Sequence, residues 1–375
     1  MAGTKGTLTA AAGAVVALGS GVWWLLRAAT RPSEDASGSR VEQPGDGRTH
    51  PPGSAGGAPQ GSGQPPPEAV VGTSEAPRPL TPSPPPVPAA GRGFPVLARA
   101  SRAAAAPWLL PAAGSAQHGI AADCAVLGGL RIRAASVVGP SHRGRAVPRQ
   151  DAYRIGRDAA GRYLVAAVAD GMSDSRHSDV GANVATAALV AALRDALDAH
   201  GDPDRIDTKQ VFLAAAGQMY RAAEQRGWDA DDVRAVAVTA VVPAHPDPVG
   251  VRRVWLAAIA DVSAWRLREG RWQQLIGEEK GGLDASAVAG FLPHDPARFA
   301  RVRAELGPGD VLALTSDGVA DAFTVVPGAR AWFAERWERP PAIGDFMLQV
   351  GFEQAQLQDD RTAVVVWPDD REGRG

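Results

Sequence analysis

Proline placement is the strongest constraint on what this chain can fold into. Eighteen of the 31 prolines fall between Pro32 and Pro111, among Gly/Ser clusters and the runs Pro65-Pro66-Pro67 and Pro84-Pro85-Pro86. Proline fixes φ and removes a backbone donor, so it interrupts helices and sheet ladders alike. A polar, low-complexity stretch of this kind buries too little apolar surface to offset the entropy of ordering it. Residues 30–115 therefore read as an extended, disordered linker. The roughly 250 residues that follow, 116–368, suit one large α/β domain, with 369–375 left as a short tail.

Ahead of the linker, between Lys5 and Arg27, runs an uncharged stretch from Gly6 to Leu26, rich in Ala, Val and Leu and ending Trp23-Trp24-Leu25-Leu26. About 20 apolar residues are enough to span a bilayer, and the tryptophan pair fits an interfacial belt. A cleaved signal peptide has a shorter apolar core followed directly by small residues. Here Trp-Trp-Leu-Leu-Arg follows, so residues 1–29 read as a single uncleaved transmembrane anchor. Arg27, Arg31 and Arg40 outweigh Lys5 and the α-amino group, which by the positive-inside bias places the folded domain in the cytoplasm. The expected location is the cell membrane, the alternative being a wholly cytoplasmic protein. The linker then serves as a tether that raises local concentration near membrane substrates.

One cysteine, Cys124, excludes a disulfide framework and any multi-thiolate zinc site. It reads as a small core residue at a strand edge. A net charge of −2 and a pI near 6.4 give no basic field for nucleic acid. The arginines at 143, 145 and 149 therefore need a local explanation.

Gly129–Val138 alternates apolar and polar residues at the period of a half-buried strand. Tyr163–Ala169 is a short apolar run feeding Asp170-Gly171. Asp179–Ala199 and Asp207–Arg226 have helical periodicity, with Asp207 or Thr208 placed to cap the second. Val233–Pro243, Val254–Ala260 and Ser263–Leu267 read as successive strands, and Glu269-Gly270 as the hairpin turn into Arg271–Ile276. Val311–Leu314 and Thr362–Trp367 are late buried strands. Strands grouped at both ends of the domain with two consecutive helices between them argue for α+β layers rather than a parallel sheet.

Acidic residues recur where these strands begin or end: Asp151, Asp170, Asp317 and Asp360. Carboxylates without His or Cys partners are hard oxygen ligands suited to Mg²⁺ or Mn²⁺. Converging carboxylates also repel one another unless cations neutralise them. Two such ions about 3.5–4 Å apart can activate a water and clamp a phosphoryl group in an in-line displacement. Any one Asp-Gly is by itself a turn.

The order and context of the set are more specific. Gln150-Asp151-Ala152, Asp170-Gly171-Met172, Ser316-Asp317-Gly318 and Asp359-Asp360-Arg361-Thr362 resemble, in the same order, the motifs of the PP2C (PPM) family of metal-dependent protein phosphatases. Ser178-Asp179-Val180-Gly181-Ala182 and Leu306-Gly307-Pro308-Gly309-Asp310 add to the likeness. The Gly139-Pro140-Ser141-His142 segment ahead of Gln-Asp-Ala is similar to the divergent bacterial branch. The resemblance covers Ala121 to Trp367. It implies an α+β fold, a four-layer α-β-β-α sandwich of two mainly antiparallel sheets flanked by helices, with the metals at one end. It implies two Mn²⁺ or Mg²⁺ ions, a metal set of Asp151, Asp170, the Gly171 carbonyl, Asp317 and Asp360, and catalytic roles for Asp170 and Asp151. The implied reaction is hydrolysis of phosphoserine or phosphothreonine by water activated at that centre, without a phosphoenzyme. The implied partners are phosphorylated proteins made by a serine/threonine kinase.

Several residues depart from the family pattern. Ser173-Asp174 replaces Gly-Gly after Asp-Gly-Met, Met172 stands where some members carry a histidine, and Ala260 stands where a glycine is usual before Asp261. Asp261 is a candidate ligand for a third metal. Arg145 is the candidate for a substrate phosphate, against the alternative of a solvated loop. His142 and His177 read as structural or surface residues, and Trp255, Trp265 and Trp272 as packing. The competing functional reading is a pseudophosphatase, a regulatory binding module that keeps the fold with weak or no turnover.

Overall fold

In a computed structural model the described residues are 94–99, 108, 119–278 and 290–368. The apolar segment 6–26 and most of the 30–115 linker lie outside them. Eleven strands form two antiparallel sheets among these residues. The first has the order β1 (Ile120–Leu127), β2 (Leu130–Val137), β11 (Arg361–Pro368), β10 (Val311–Thr315), β7 (Ser263–Arg268), β8 (Arg271–Ile276). The second runs β3 (Ala152–Arg157), β4 (Tyr163–Gly171), β5 (Ala235–Pro243), β6 (Arg252–Ile259), β9 (Ala300–Leu306).

The central strands are apolar on both faces because both faces are covered. Residues of β4, β5 and β6 pack on one side against β2, β10 and β11, and on the other against α2 (Ser178–His200) and α3 (Thr208–Glu224). A second cluster fills the outer face of the other sheet beneath α4 (Asp317–Val325), α5 (Ala329–Trp337) and α6 (Ile343–Val350). Burying one large apolar side chain contributes about 1.5–3 kcal/mol, and Trp255, Trp337, Phe212, Phe333 and Phe346 are all fully buried. Helices, two sheets and helices in succession are the α+β sandwich expected from the motifs.

Local chemistry accounts for the element ends. Asp207 caps α3 by accepting the amides of Lys209 (3.0 Å) and Gln210 (3.2 Å). Glu269 and Gly270 both have positive φ, the twist that a two-residue hairpin between β7 and β8 requires. Helix α2 is long and apolar enough to cross a membrane by composition, but its apolar residues are spent inside the fold against β3, β4, β5 and α3.

One expectation is corrected. Cys124 lies on the edge strand β1 but is exposed, because among the described residues that strand has no neighbour beyond it and little packed over it. Residues 95–99, grouped above with the linker, lie against the folded domain. Leu97 is 4 % exposed and belongs to the second core, and residues 95–99 add a parallel backbone ladder to the segment after α6. Leu97 N–H donates to the Glu353 carbonyl (2.8 Å), Glu353 N–H to the Pro95 carbonyl (2.7 Å), and Ala355 N–H to the Arg99 carbonyl (2.8 Å). Nothing local marks these apolar residues inside a proline-rich stretch, because their partners lie about 250 positions later in the chain.

Candidate active site

The candidate site is assembled where strand ends from both sheets meet. Asp151 precedes β3, Asp170 and Gly171 end β4, Asp317 opens α4 directly after β10, and Asp359 and Asp360 precede β11. Antiparallel pairing brings these ends together, since β3 pairs with β4 in one sheet and β10 with β11 in the other. Close backbone approach explains the glycines. A Cβ at Gly139 would overlap the Asp359 carbonyl, one at Gly318 would overlap the Asp360 carbonyl, and one at Gly171 would lie 2.7 Å from the Ser178 carbonyl and 2.8 Å from that of Gln150.

Ser316, the residue before α4, knots the two sheets. Its Oγ donates to Asp151 Oδ2 (2.6 Å) and accepts the Thr362 amide (3.0 Å), while its own amide donates to the Thr362 carbonyl (3.0 Å). Arg149 is buried and donates to the Asp151 carbonyl (2.8 Å). Asp170 is half-buried at the end of β4 and shares a hydrogen bond with Asp317.

The electrostatics are those of crowded anions. Burial, then the charges of Asp151, Asp317 and Asp359, push the Asp170 carboxyl well above the ordinary range. Burial and the Asp360 charge do the same to Asp151, against the opposing Ser316 hydrogen bond. Asp359 is pushed up to about 6 by burial and by the charges of Asp317 and Asp360. An all-oxygen set that resists ionising together is the donor chemistry of hard divalent cations, and a cation among these groups would remove the repulsion. The residues therefore fit Mg²⁺ or Mn²⁺.

Asp360 behaves differently from the other four. It is 1 % exposed, and its oxygens are engaged by the protein: Oδ1 accepts the Gly139 amide (2.6 Å) and faces His142 Nδ1 (3.0 Å), and Oδ2 accepts the Gln150 amide (2.6 Å). Burial opposes its charge, but His142 and these amides outweigh it and hold the carboxyl below its ordinary value. His142 in turn is raised: burial opposes the imidazolium, and Asp360 and Asp359 override it. Ligand atoms of His142, Asp359 and Asp360 lie within 4.8 Å of one another. Asp359, next to the expected ligand Asp360, has a side chain 48 % exposed and in the field of Asp170 and Asp317. Its signal was the doubled aspartate itself.

The remaining candidates are sorted by position. Arg143 pairs with Glu353 and Arg149 is buried, so of the three arginines only Arg145 is exposed, its Nε donating to the Ser141 carbonyl (3.0 Å). Asp261 lines a neighbouring cleft of about 180 Å³ with Glu278 and Asp321. His177 precedes α2 and stacks on Trp228, centroids 3.6 Å apart. Asp174, the added charge in the loop after Met172, is turned towards Arg234 at 2.9 Å. Ala260 holds a left-handed backbone with φ 65°, the conformation that glycine adopts without cost and that explains the glycine usual there.

The sequence model of protein phosphatase 2C matches residues 138–349, more than half of the chain. No curated protein matches it. Among solved structures, a serine/threonine phosphatase of S. agalactiae is similar at 14 % identity and a TM-score of 0.47, over 64 % of this chain and 99 % of that one. RsbX in complex with magnesium is similar at 12 % identity and 0.41, over 66 % and 98 %. The PPM Ser-Thr phosphatase MsPP of Mycobacterium smegmatis, solved with cacodylate, is similar at 18 % identity and 0.37, over 63 % and 97 %. With its four aspartate motifs gathered at one end of two packed sheets and the family's sequence model matching across the first three of them, the chain belongs to the protein phosphatase 2C family.

Proposed function

We propose that this chain hydrolyses phosphoserine or phosphothreonine in proteins with the help of two divalent cations, Mn²⁺ or Mg²⁺. The observation that carries this reading is the convergence of Asp151, Asp170, Asp317 and Asp359, where burial and neighbouring carboxylates raise the proton affinity of Asp151, Asp170 and Asp359. Asp170, the Gly171 carbonyl, Asp317 and Asp359 would hold the ions, with Asp151 beside them. When bound, such ions polarise water and neutralise the phosphoryl oxygens. Asp170 lies among the charges of Asp151, Asp317 and Asp359, Ser316 and Arg149 hold Asp151 in place, and Arg145 is the exposed guanidinium available to a substrate phosphate. The Asp174–Arg234 pair draws the added loop charge to a partner, which favours an active enzyme over a pseudophosphatase. Asp261 remains a candidate for a third cation in its neighbouring cleft.

The test uses the full chain in detergent on a phosphothreonine peptide, with Mn²⁺, with EDTA, and with Asp170→Ala. A truncation at residue 116 would remove Leu97 and Trp108 from the fold and is unsuitable. Turnover that requires Mn²⁺ and is lost in Asp170→Ala supports the reading; no Mn²⁺-dependent turnover by the wild type sinks it. The same reading places residues 1–29 in the cell membrane with the domain in the cytoplasm. Release of the chain from membranes by salt alone would exclude an anchor.

A further inference from the structure

The three groups held by Asp360 are spread along the chain in a telling way. Gly139, His142 and Gln150 span the whole segment that leads from β2 to Asp151. The same segment is laid on the backbone beside Asp360: Ser141 N–H donates to the Gln358 carbonyl (3.1 Å), and Gly139 abuts the Asp359 carbonyl so closely that no side chain fits there. A carboxylate has about four lone-pair sites, and three of those of Asp360 face protein groups. Only a side chain that accepts on both oxygens can take all three, because an amide would set its NH₂ against a backbone N–H.

We propose that Asp360 is a positioning residue and not a metal ligand. With His142 it ties the Gly139–Gln150 segment to the head of β11, and this tether sets Asp151 in register with Asp170 and Asp317. The inference rests on the metal-dependent hydrolase reading above. Arg361 supports the tether from the next position, its guanidinium donating to the carbonyls of Asp359 (2.8 Å) and Leu357 (2.6 Å).

Mn²⁺ calorimetry and thermal denaturation in EDTA, both on the full chain, test it. Asp360→Asn is expected to bind two Mn²⁺ per chain with affinity weakened about 10-fold or more, and to melt lower than wild type in EDTA. Loss of one of the two Mn²⁺ sites, or an unchanged melting temperature in EDTA, would overturn the proposal. Should that variant not fold, His142 decides. His142→Ala is expected to weaken Mn²⁺ binding and lower the melting temperature in EDTA, and His142→Asn, whose amide can donate to Asp360 Oδ1, to recover most of both. His142→Ala indistinguishable from wild type would overturn the tether. A wild-type chain that binds no Mn²⁺ would instead overturn the hydrolase reading, and the melting temperatures in EDTA would still report on Asp360.

Discussion

Arg143 places Nη2 2.9 Å from Glu353 Oε1, with both side chains almost wholly buried. The pair joins α1 (Pro140–Arg143), whose His142 meets Asp360, to the segment on which residues 95–99 form their ladder. Trp108 covers the outer face of the same guanidinium at 5.1 Å, and Arg361, buried nearby with its guanidinium lowered to about 10, also feels the Glu353 charge. A chain segment read as linker thus ends against the support of the candidate site.

Removing one partner of a buried ion pair leaves the other charge uncompensated. Glu353→Ala is expected to lose about 3–5 kcal/mol of folding stability. Trp108→Ala, at a half-exposed ring, is expected to lose only about 1 kcal/mol. Urea denaturation of both variants in EDTA checks the ratio.

Residues 95–99 provide a second check on where the domain begins. Leu97→Ala is expected to cost about 2–5 kcal/mol because its side chain lies in the core. Val96→Ala, at 51 % exposure, should stay within about 0.5 kcal/mol. Equal melting temperatures for wild type and Leu97→Ala would return this segment to the linker.

Asp170 separates stability from activity. Asp170→Asn is expected to lower Mn²⁺-dependent turnover about 1000-fold or more, several kcal/mol of transition-state stabilisation. The same change removes a charge that Asp151, Asp317 and Asp359 oppose, so the EDTA-treated variant should melt above the wild type. A variant that is inactive because it is unfolded would show the reverse.

Metal removal should also change how stability responds to pH. Asp359 binds its proton more tightly in the folded chain, at about 6, than at its ordinary 3.8, and Asp151 and Asp170 shift in the same direction. Such groups favour the fold while protonated, so stability falls as pH rises from about 4 through 6. His142, raised above 6.5, has the same sign, since its contribution below 6.5 is lost as pH climbs through its folded value. Asp360 is lowered and acts oppositely, in the range below 3.8. The EDTA-treated chain is therefore expected to resist urea better at pH 5 than at pH 7.5, with saturating Mn²⁺ reducing or reversing the difference.

Much of the fold could be read in advance where the signal is local. Strands β2, β4, β5 and β7 and helices α2 and α3 carry their own periodicity, and Asp207 caps α3 with a side chain three residues or fewer from its partners. Strands β1, β3 and β9 and helices α4 to α6 carry no such local signal. β1 and β9 are edge strands with mixed burial, and α4 to α6 are short, so none shows a long repeat.

By itself the sequence determined the family motifs, their order and an oxygen-only donor set, because residue type and spacing are local properties. Tertiary structure decided which of two adjacent aspartates turns inward. Neighbouring residues entering a strand point to opposite faces, and the side that becomes the interior is set by Gly139 and Gln150, more than 200 positions away in the chain. It likewise decided that Cys124 faces solvent and that Leu97 does not, since burial depends on what the rest of the chain lays over a residue.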